Sequence, residues 1–267
     1  MARSLSANKG HDDRIFFIPL QLLLLGLAGS VIWIAGLVQL FRDAAWRPVR
    51  ALAWAYPVTA ALTLLTGGQA YYTFGLLAFL FAAGAVVAVR WATGHRRRWA
   101  LVAAAVAVGT ATSIALALPV FPVRSLPPAI AAINQTARDS VGWPTYVEEV
   151  AAVYDSLPAA QRSVATLIAG NYGEAGALDR YGPKYGLPTV FSGQNQLYYY
   201  GPPPQTATVA VVVGLDDVSA YFTHCTQQAT LDNRVGVDNE EQGRPITVCT
   251  GLKSSWSRTW PAFQHYD

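Results

Sequence analysis

The sequence predicts a membrane all-α region of about four transmembrane helices, residues 1–121, followed by a soluble α/β domain with a mostly parallel sheet, residues 122–267. Three observations predict it. Only 13% of the chain is charged, about half the roughly 25% of an ordinary soluble protein. The charge is also unevenly spread: residues up to Arg98 carry 10 basic and 3 acidic side chains, whereas from Arg124 onward there are 9 and 13. Finally, no charged side chain occurs between Arg14 and Arg42, between Arg50 and Arg90, or between Arg98 and Arg124. The formal net charge of +3 is an average over a basic half and a mildly acidic half. It supplies no basic folded face of the kind nucleic-acid binding needs, so no nucleic-acid partner is expected.

About 20 apolar residues cross the hydrocarbon core of a bilayer, so the first uncharged run predicts one helix near 15–41 and the third predicts one near 99–121. The middle run holds two, near 51–65 and 70–91, separated by the turn signal Thr66-Gly67-Gly68-Gln69. The first of these two has a short apolar run that contains Pro57. Arg42, Arg47 and Arg50 follow the first helix, and Arg90, Arg96, Arg97 and Arg98 follow the third. The positive-inside rule puts both connections in the cytoplasm, which leaves the 67–72 turn and everything after Phe121 on the opposite side. Aromatic residues at the expected interfaces, among them Trp46, Trp54, Trp91 and Trp99, fit that arrangement. Lys9, His11, Asp12 and Asp13 stand between the start and the first apolar run, which is too long for a signal peptide, so this helix is expected to stay in the membrane.

After Pro122 the long apolar runs give way to short alternating units. Trp143-Pro144-Thr145 opens a helix, with Glu148 and Glu149 close to its positive end. Val164–Ala169 reads as a buried strand, Glu174–Tyr185 as a helix, Thr189–Phe191 as a short strand and Thr208–Val213 as the most apolar one. A short helix from Asp217, strands near Cys225 and at Pro245–Cys249, and a helix from Ser254 complete the domain. Alternation of strands with helices predicts the mostly parallel sheet. Cys225 and Cys249, the two cysteines, read either as a disulfide, which persists on the exported side, or as two buried thiols in neighbouring strands; spacing leaves both open.

Four motifs carry chemistry. Residues 170–176, GNYGEAG, follow a strand and open a helix, where glycines let backbone amides approach a phosphate. The spacing is GxxGxxG rather than GxGxxG, and no acid ends a second strand in the place a ribose needs, which favours a tight strand-to-helix turn over nucleotide binding. The same rim could hold an anionic or sugar group of a substrate at the membrane surface. Asp232, Asp238, Glu240 and Glu241 place four carboxylates within ten positions, enough for acid and base work or for a divalent cation, although the spacing matches no calcium loop and also fits a solvated turn. Tyr198-Tyr199-Tyr200 and the following Gly201-Pro202-Pro203-Pro204 could stack on a sugar face or lie against a membrane surface. His11, His95, His224 and His265 lack metal-ligand spacing, and no nucleophile motif is present, so hydrolase and metalloenzyme readings have little support. Asn134-Gln135-Thr136 matches a glycosylation acceptor.

Residues 170–183 (GNYGEAGALDRYGP), 191–195 (FSGQN), 201–203 (GPP), 237–243 (VDNEEQG) and the Trp256–Trp260 stretch resemble the C-terminal region of bacterial glycosyltransferase family 39 membrane proteins. These are relatives of the dolichyl-phosphate-mannose protein mannosyltransferases and the lipid A aminoarabinose transferases. Residues 66–72 (TGGQAYY) are similar to that family's Gly-Lys-Pro-Tyr-Tyr segment between two membrane helices. The resemblance implies a GT-C fold in the plasma membrane, multi-pass, with the C-terminal domain extracytoplasmic. It implies transfer of a sugar from a polyprenyl-phosphate donor to an extracytoplasmic acceptor. The residues put forward for substrate binding are Gln69, Tyr71 and Tyr72 in the turn, and Asn171, Tyr172, Glu174, Asn195, Asp238, Glu240 and Glu241 in the soluble domain. Gln69 stands where the family commonly has Lys, so a charge-assisted bond to the donor phosphate becomes a neutral one, roughly half as strong. The family's catalytic base lies in the first extracytoplasmic loop; Asp12 and Asp13 are the only acids ahead of the first helix, neither is identified with it, and the catalytic residue is unassigned. The expectation is the C-terminal half of a glycosyltransferase, inactive alone, with the N-terminal half on a separate chain as a candidate partner. The alternatives are a membrane-anchored module that binds a sugar or lipid-linked sugar without chemistry, and a small complete enzyme using the Asp238–Glu241 carboxylates.

Overall fold

The computed structural model describes residues 17–22, 25–68, 70–118, 120–123, 135–216 and 218–266. The chain divides into two compact units, Met1–Phe121 and Pro122–Asp267.

The first unit is helical: α1 (Gly26–Arg42), α2 (Arg50–Thr66), α3 (Phe74–Ala92) and α4 (Arg96–Ala117). Among the described residues, three segments are long and apolar enough to cross a membrane, Ala44–Thr66, Tyr71–Ala92 and Arg96–Ala115. The chain is therefore membrane-associated on length and composition, and three of the four expected spans are found among the described residues. Gly26–Arg42 falls short at 17 residues. The continuous helix expected near 15–41 is interrupted, because Gly26 takes a left-handed φ of 70°, a conformation open to glycine and closed to a helix interior. Residues 17–22 form a separate helical stretch, and Ser30 Oγ reaches across the break to the Leu22 carbonyl (2.7 Å). The next segment is longer than expected. A 3₁₀ turn at Ala44–Val49, capped by Asp43 Oδ1 on the Ala45 amide (2.9 Å), leads into α2, and Pro57 sits inside that helix without ending it. Gly67, at φ 73°, closes α2 in a left-handed cap, with the Gly68 amide returning to the Thr63 carbonyl (2.8 Å).

Helices α1 and α3 meet through glycine. A Cβ on Gly36 would run into the Leu80 carbonyl, and one on Gly84 into the Ile32 carbonyl, so backbone packs directly on backbone. In lipid, where apolar side chains gain little by meeting each other, such close approach is a main source of helix association.

The second unit is α/β: α5 (Trp143–Ser156), β1 (Ala165–Ala169), α6 (Tyr172–Tyr181), β2 (Val190–Ser192), β3 (Val209–Val213), β4 (Phe222–Thr230) and β5 (Pro245–Leu252). The five strands lie in the order β2-β1-β3-β5-β4. Strands β2, β1 and β3 are mutually parallel, whereas β5 pairs antiparallel with both β3 and β4. The sheet is thus mixed, not mostly parallel. The last two strands form an antiparallel pair that needs no crossover helix, and the Cys225–Cys249 disulfide joins facing residues of that pair. Alternate side chains go to opposite faces. Leu167 and Val211 pack with Val147 and Val150 of α5, and Ile168 and Val212 pack with Phe222, Trp256 and Trp260. With both faces covered, β3 is buried along its whole length. The helix expected to run to Tyr185 ends at Tyr181 and tightens into a 3₁₀ turn over Gly182–Tyr185. The helix expected from Asp217 is a turn at Val218, closed by the Tyr221 amide (3.0 Å); Asp217 itself lies outside the described residues.

Candidate functional site

The chain leaves β1 through α6 to β2 on one side and later returns as β3 on the other. The C-terminal ends of β1 and β3 therefore border a topological switch point, the place where open α/β sheets bind ligands. Gly170 follows β1 and Gly214 follows β3, and the Gly170 amide donates to the Val213 carbonyl (2.9 Å).

Asn171 caps α6. Its Oδ1 accepts from the Glu174 amide (2.8 Å), while Glu174 Oε2 accepts from the amides of Gly170 (2.7 Å) and Asn171 (3.2 Å). This is a capping box, in which cap and third residue satisfy each other's orphan donors. The Tyr172 amide is taken by Gln194 Oε1 (2.7 Å). The amides that would cradle a phosphate are thus occupied by the protein's own side chains, and the loop is a carboxylate-filled turn. Gly214 is required for it, since it has a φ of 73° and a Cβ there would collide with the Glu174 carboxylate.

The Val237–Gly243 segment meets this turn. Asn171 and Glu174 both act on the Glu241 carboxyl, Asn171 lowering and Glu174 raising its proton affinity, so residues far apart in sequence are neighbours here. The segment is docked by Asn239 Nδ2 on the Val141 carbonyl (2.9 Å) and by the Glu240 amide on Asp139 Oδ1 (3.1 Å). Glu174 and Glu241 are 1% and 7% exposed. Burial pushes the Glu174 carboxyl up to about 7, against the pull of the Gly170 and Asn171 amides. Burial, and next the neighbouring Glu174, pushes Glu241 up to about 7. Among the described residues, Glu241 Oε2 and the buried Tyr146 hydroxyl have no hydrogen-bond partner, and both residues border a cavity of about 10 Å³, roughly the room one water needs. The pair can hold and release a proton near neutrality, away from bulk solvent.

The sequence-predicted residues separate into groups. Asn171, Glu174 and Glu241 come together inside the unit, whereas Tyr172, Asn195, Asp238 and Glu240 face solvent. Tyr71 and Tyr72 are exposed with their rings edge to face at 5.2 Å, and Gln69 lies outside the described residues. Among the described residues, no group of three or more His, Cys, Asp or Glu is placed to hold a metal ion. Sequence reasoning missed Tyr146, Gln194 and His265, whose ring nitrogens face the Phe263 and Gly170 carbonyls, each at 2.7 Å. It also missed a buried polar group in the membrane unit, where Thr73 Oγ1 (2.5 Å) and the Tyr56 hydroxyl (3.4 Å) both donate to Gln21 Oε1.

Comparison with known proteins returned no family model, no curated protein and no solved structure that matches the chain.

Proposed function

We propose that this chain is part of a membrane glycosyltransferase of the family 39, GT-C type, and that the rim at the ends of β1 and β3 binds the sugar of a polyprenyl-phosphate donor. In this reading the apolar run near 15–41 makes a fourth crossing, the chain is multi-pass in the plasma membrane, and the Pro122–Asp267 unit is extracytoplasmic. The Cys225–Cys249 disulfide supports an oxidising compartment for that unit. The observation that carries the proposal is the approach of two family-like motifs, residues 170–183 and 237–243, whose buried Glu174 and Glu241 both neighbour Tyr146 beside the switch point.

A specific observation favours a second reading, a sugar-binding module without catalysis: the two carboxyls with raised proton affinity are sealed from solvent. One experiment tests both. The full chain in nanodiscs is irradiated with a polyprenyl-phosphate hexose carrying a photoreactive group on the sugar, and adducts are mapped by mass spectrometry. The expected adducts fall on Tyr172 or Asn195, with release of polyprenyl phosphate marking a transferase and adducts without release marking a binding module. Labelling no greater than that by a photoreactive polyprenol without sugar would contradict both.

A further inference from the structure

Beyond β2, Asn195–Tyr200 forms a 3₁₀ turn, and the C-terminal segment lies along its start. The Asn195 amide donates to the His265 carbonyl (3.0 Å) and the His265 amide to the Gly193 carbonyl (3.1 Å). Gly193 permits this approach, because a Cβ there would run into the Phe263 carbonyl. The pairing brings Tyr199 and Tyr266, 62% and 68% exposed, to one surface. Exposed as they are, the two rings are fixed. Gln264 Nε2 donates to the Tyr266 hydroxyl (2.6 Å) and to the Tyr199 hydroxyl (3.4 Å), and the hydroxyls are 3.5 Å apart. Beneath them, Tyr198 packs edge-on against Tyr199 (5.2 Å) and stacks on buried Trp260 (6.0 Å), which stacks in turn on Phe263 (5.7 Å). Trp260 Nε1 locks the ladder by donating to the Tyr198 carbonyl (3.1 Å).

Charge decides what such a surface accepts. No Lys or Arg occurs between Lys184 and Arg234 or after Arg258, so these segments offer nothing to pair with a phosphate or an anionic headgroup. Rigid tyrosines with a polar edge give large amphipathic contact at low entropic cost. A pyranose ring has the matching shape, an apolar C–H face bordered by hydroxyls. We infer that Tyr199 and Tyr266, with the Gln264 amide between them, form a stacking platform for a neutral pyranose of an acceptor glycan. The inference rests on the reading that this unit handles sugars, and it adds a second subsite free of the donor phosphate.

The test uses the full chain in nanodiscs with mannotriose, cellotriose and chitotriose as probes, read by saturation-transfer NMR. At least one trisaccharide receives saturation from the protein. The double substitution Tyr199→Ala and Tyr266→Ala weakens its binding about tenfold or more, while Tyr199→Phe with Tyr266→Phe, which keeps both rings, loses less. Absence of transfer to all three sugars, or equal binding by the alanine pair, overturns the platform. So does quenching of Tyr266→Trp fluorescence by brominated lipid, which would put this surface on the bilayer. Photoadducts of the lipid-linked sugar without trisaccharide binding would remove the platform alone; trisaccharide binding without photoadducts would remove the donor reading alone.

Discussion

The helical unit is joined where side chains are smallest, and the α/β unit where they are most polar. At the α1–α3 contact Gly36 and Gly84 bring backbone onto backbone. At the β1–β3 rim a carboxylate fills the equivalent close space, with Gly170 and Gly214 making room for it. The difference follows from solvent. Lipid gives no reward for gathering apolar side chains, so close packing associates the helices. The α/β unit instead gathers apolar side chains in a core of its own, and its polar turn is satisfied internally.

Substitutions at the two kinds of glycine sharpen this contrast. Gly214→Val adds left-handed strain to a collision with Glu174, for a loss of about 4 kcal/mol, seen as collapse of near-ultraviolet dichroism well below the parent melting temperature. Replacing Cys225 and Cys249 by serine removes the constraint on the chain between β4 and β5 and costs about 3 kcal/mol in the same melt. Gly84→Leu forces α1 away from α3 at about 2 kcal/mol, and it is expected to lower detergent resistance of the membrane unit while leaving the dichroism of the soluble unit unchanged. An equal effect on both units would break the comparison.

A smaller effect separates the units by pH. Glu174 and Glu241 bind their protons more tightly folded than at the ordinary value of 4.5. Stability from this source is complete below about pH 4.5 and is lost as pH rises toward 7. The soluble unit should therefore melt higher at pH 5 than at pH 8, and Glu241→Gln should flatten that difference. A steeper difference in the variant would contradict the assignment. Asp43→Asn, which breaks a partly exposed pair with Arg90 (3.9 Å) and disturbs the bond that Gln39 Nε2 donates to Asp43 Oδ2 (2.6 Å), should shift melting by about 1 kcal/mol in stability or less.

Much of the membrane unit was legible, because a bilayer tolerates few charges and the gaps in Arg placement show directly in the sequence. What was not legible there depends on backbone conformation. Gly26 interrupts a helix and Pro57 does not, and neither outcome follows from residue type alone. In the soluble unit, strands at 165–169 and 209–213 were readable as apolar runs, but the direction of β5 depends on pairing across the sheet. Asn171 and Glu174 were singled out as ligand-facing, although Asn-x-x-Glu ahead of an apolar run spells a capping box; that signal was present and would have turned Glu174 inward. Tyr146 and His265 carried no such signal, since the carboxyls beside Tyr146 and the Gly170 carbonyl that His265 meets are brought to them only by the fold. The disulfide was undecidable from spacing and is decided by the facing register of β4 and β5.

The most direct measurement is a double-mutant cycle on folding stability between Asn171→Ala and Glu241→Gln in the full chain. If residues 170–176 and 237–243 form one site, the double variant loses about 1 kcal/mol less than the sum of the single losses. Strict additivity of the two substitutions would contradict it.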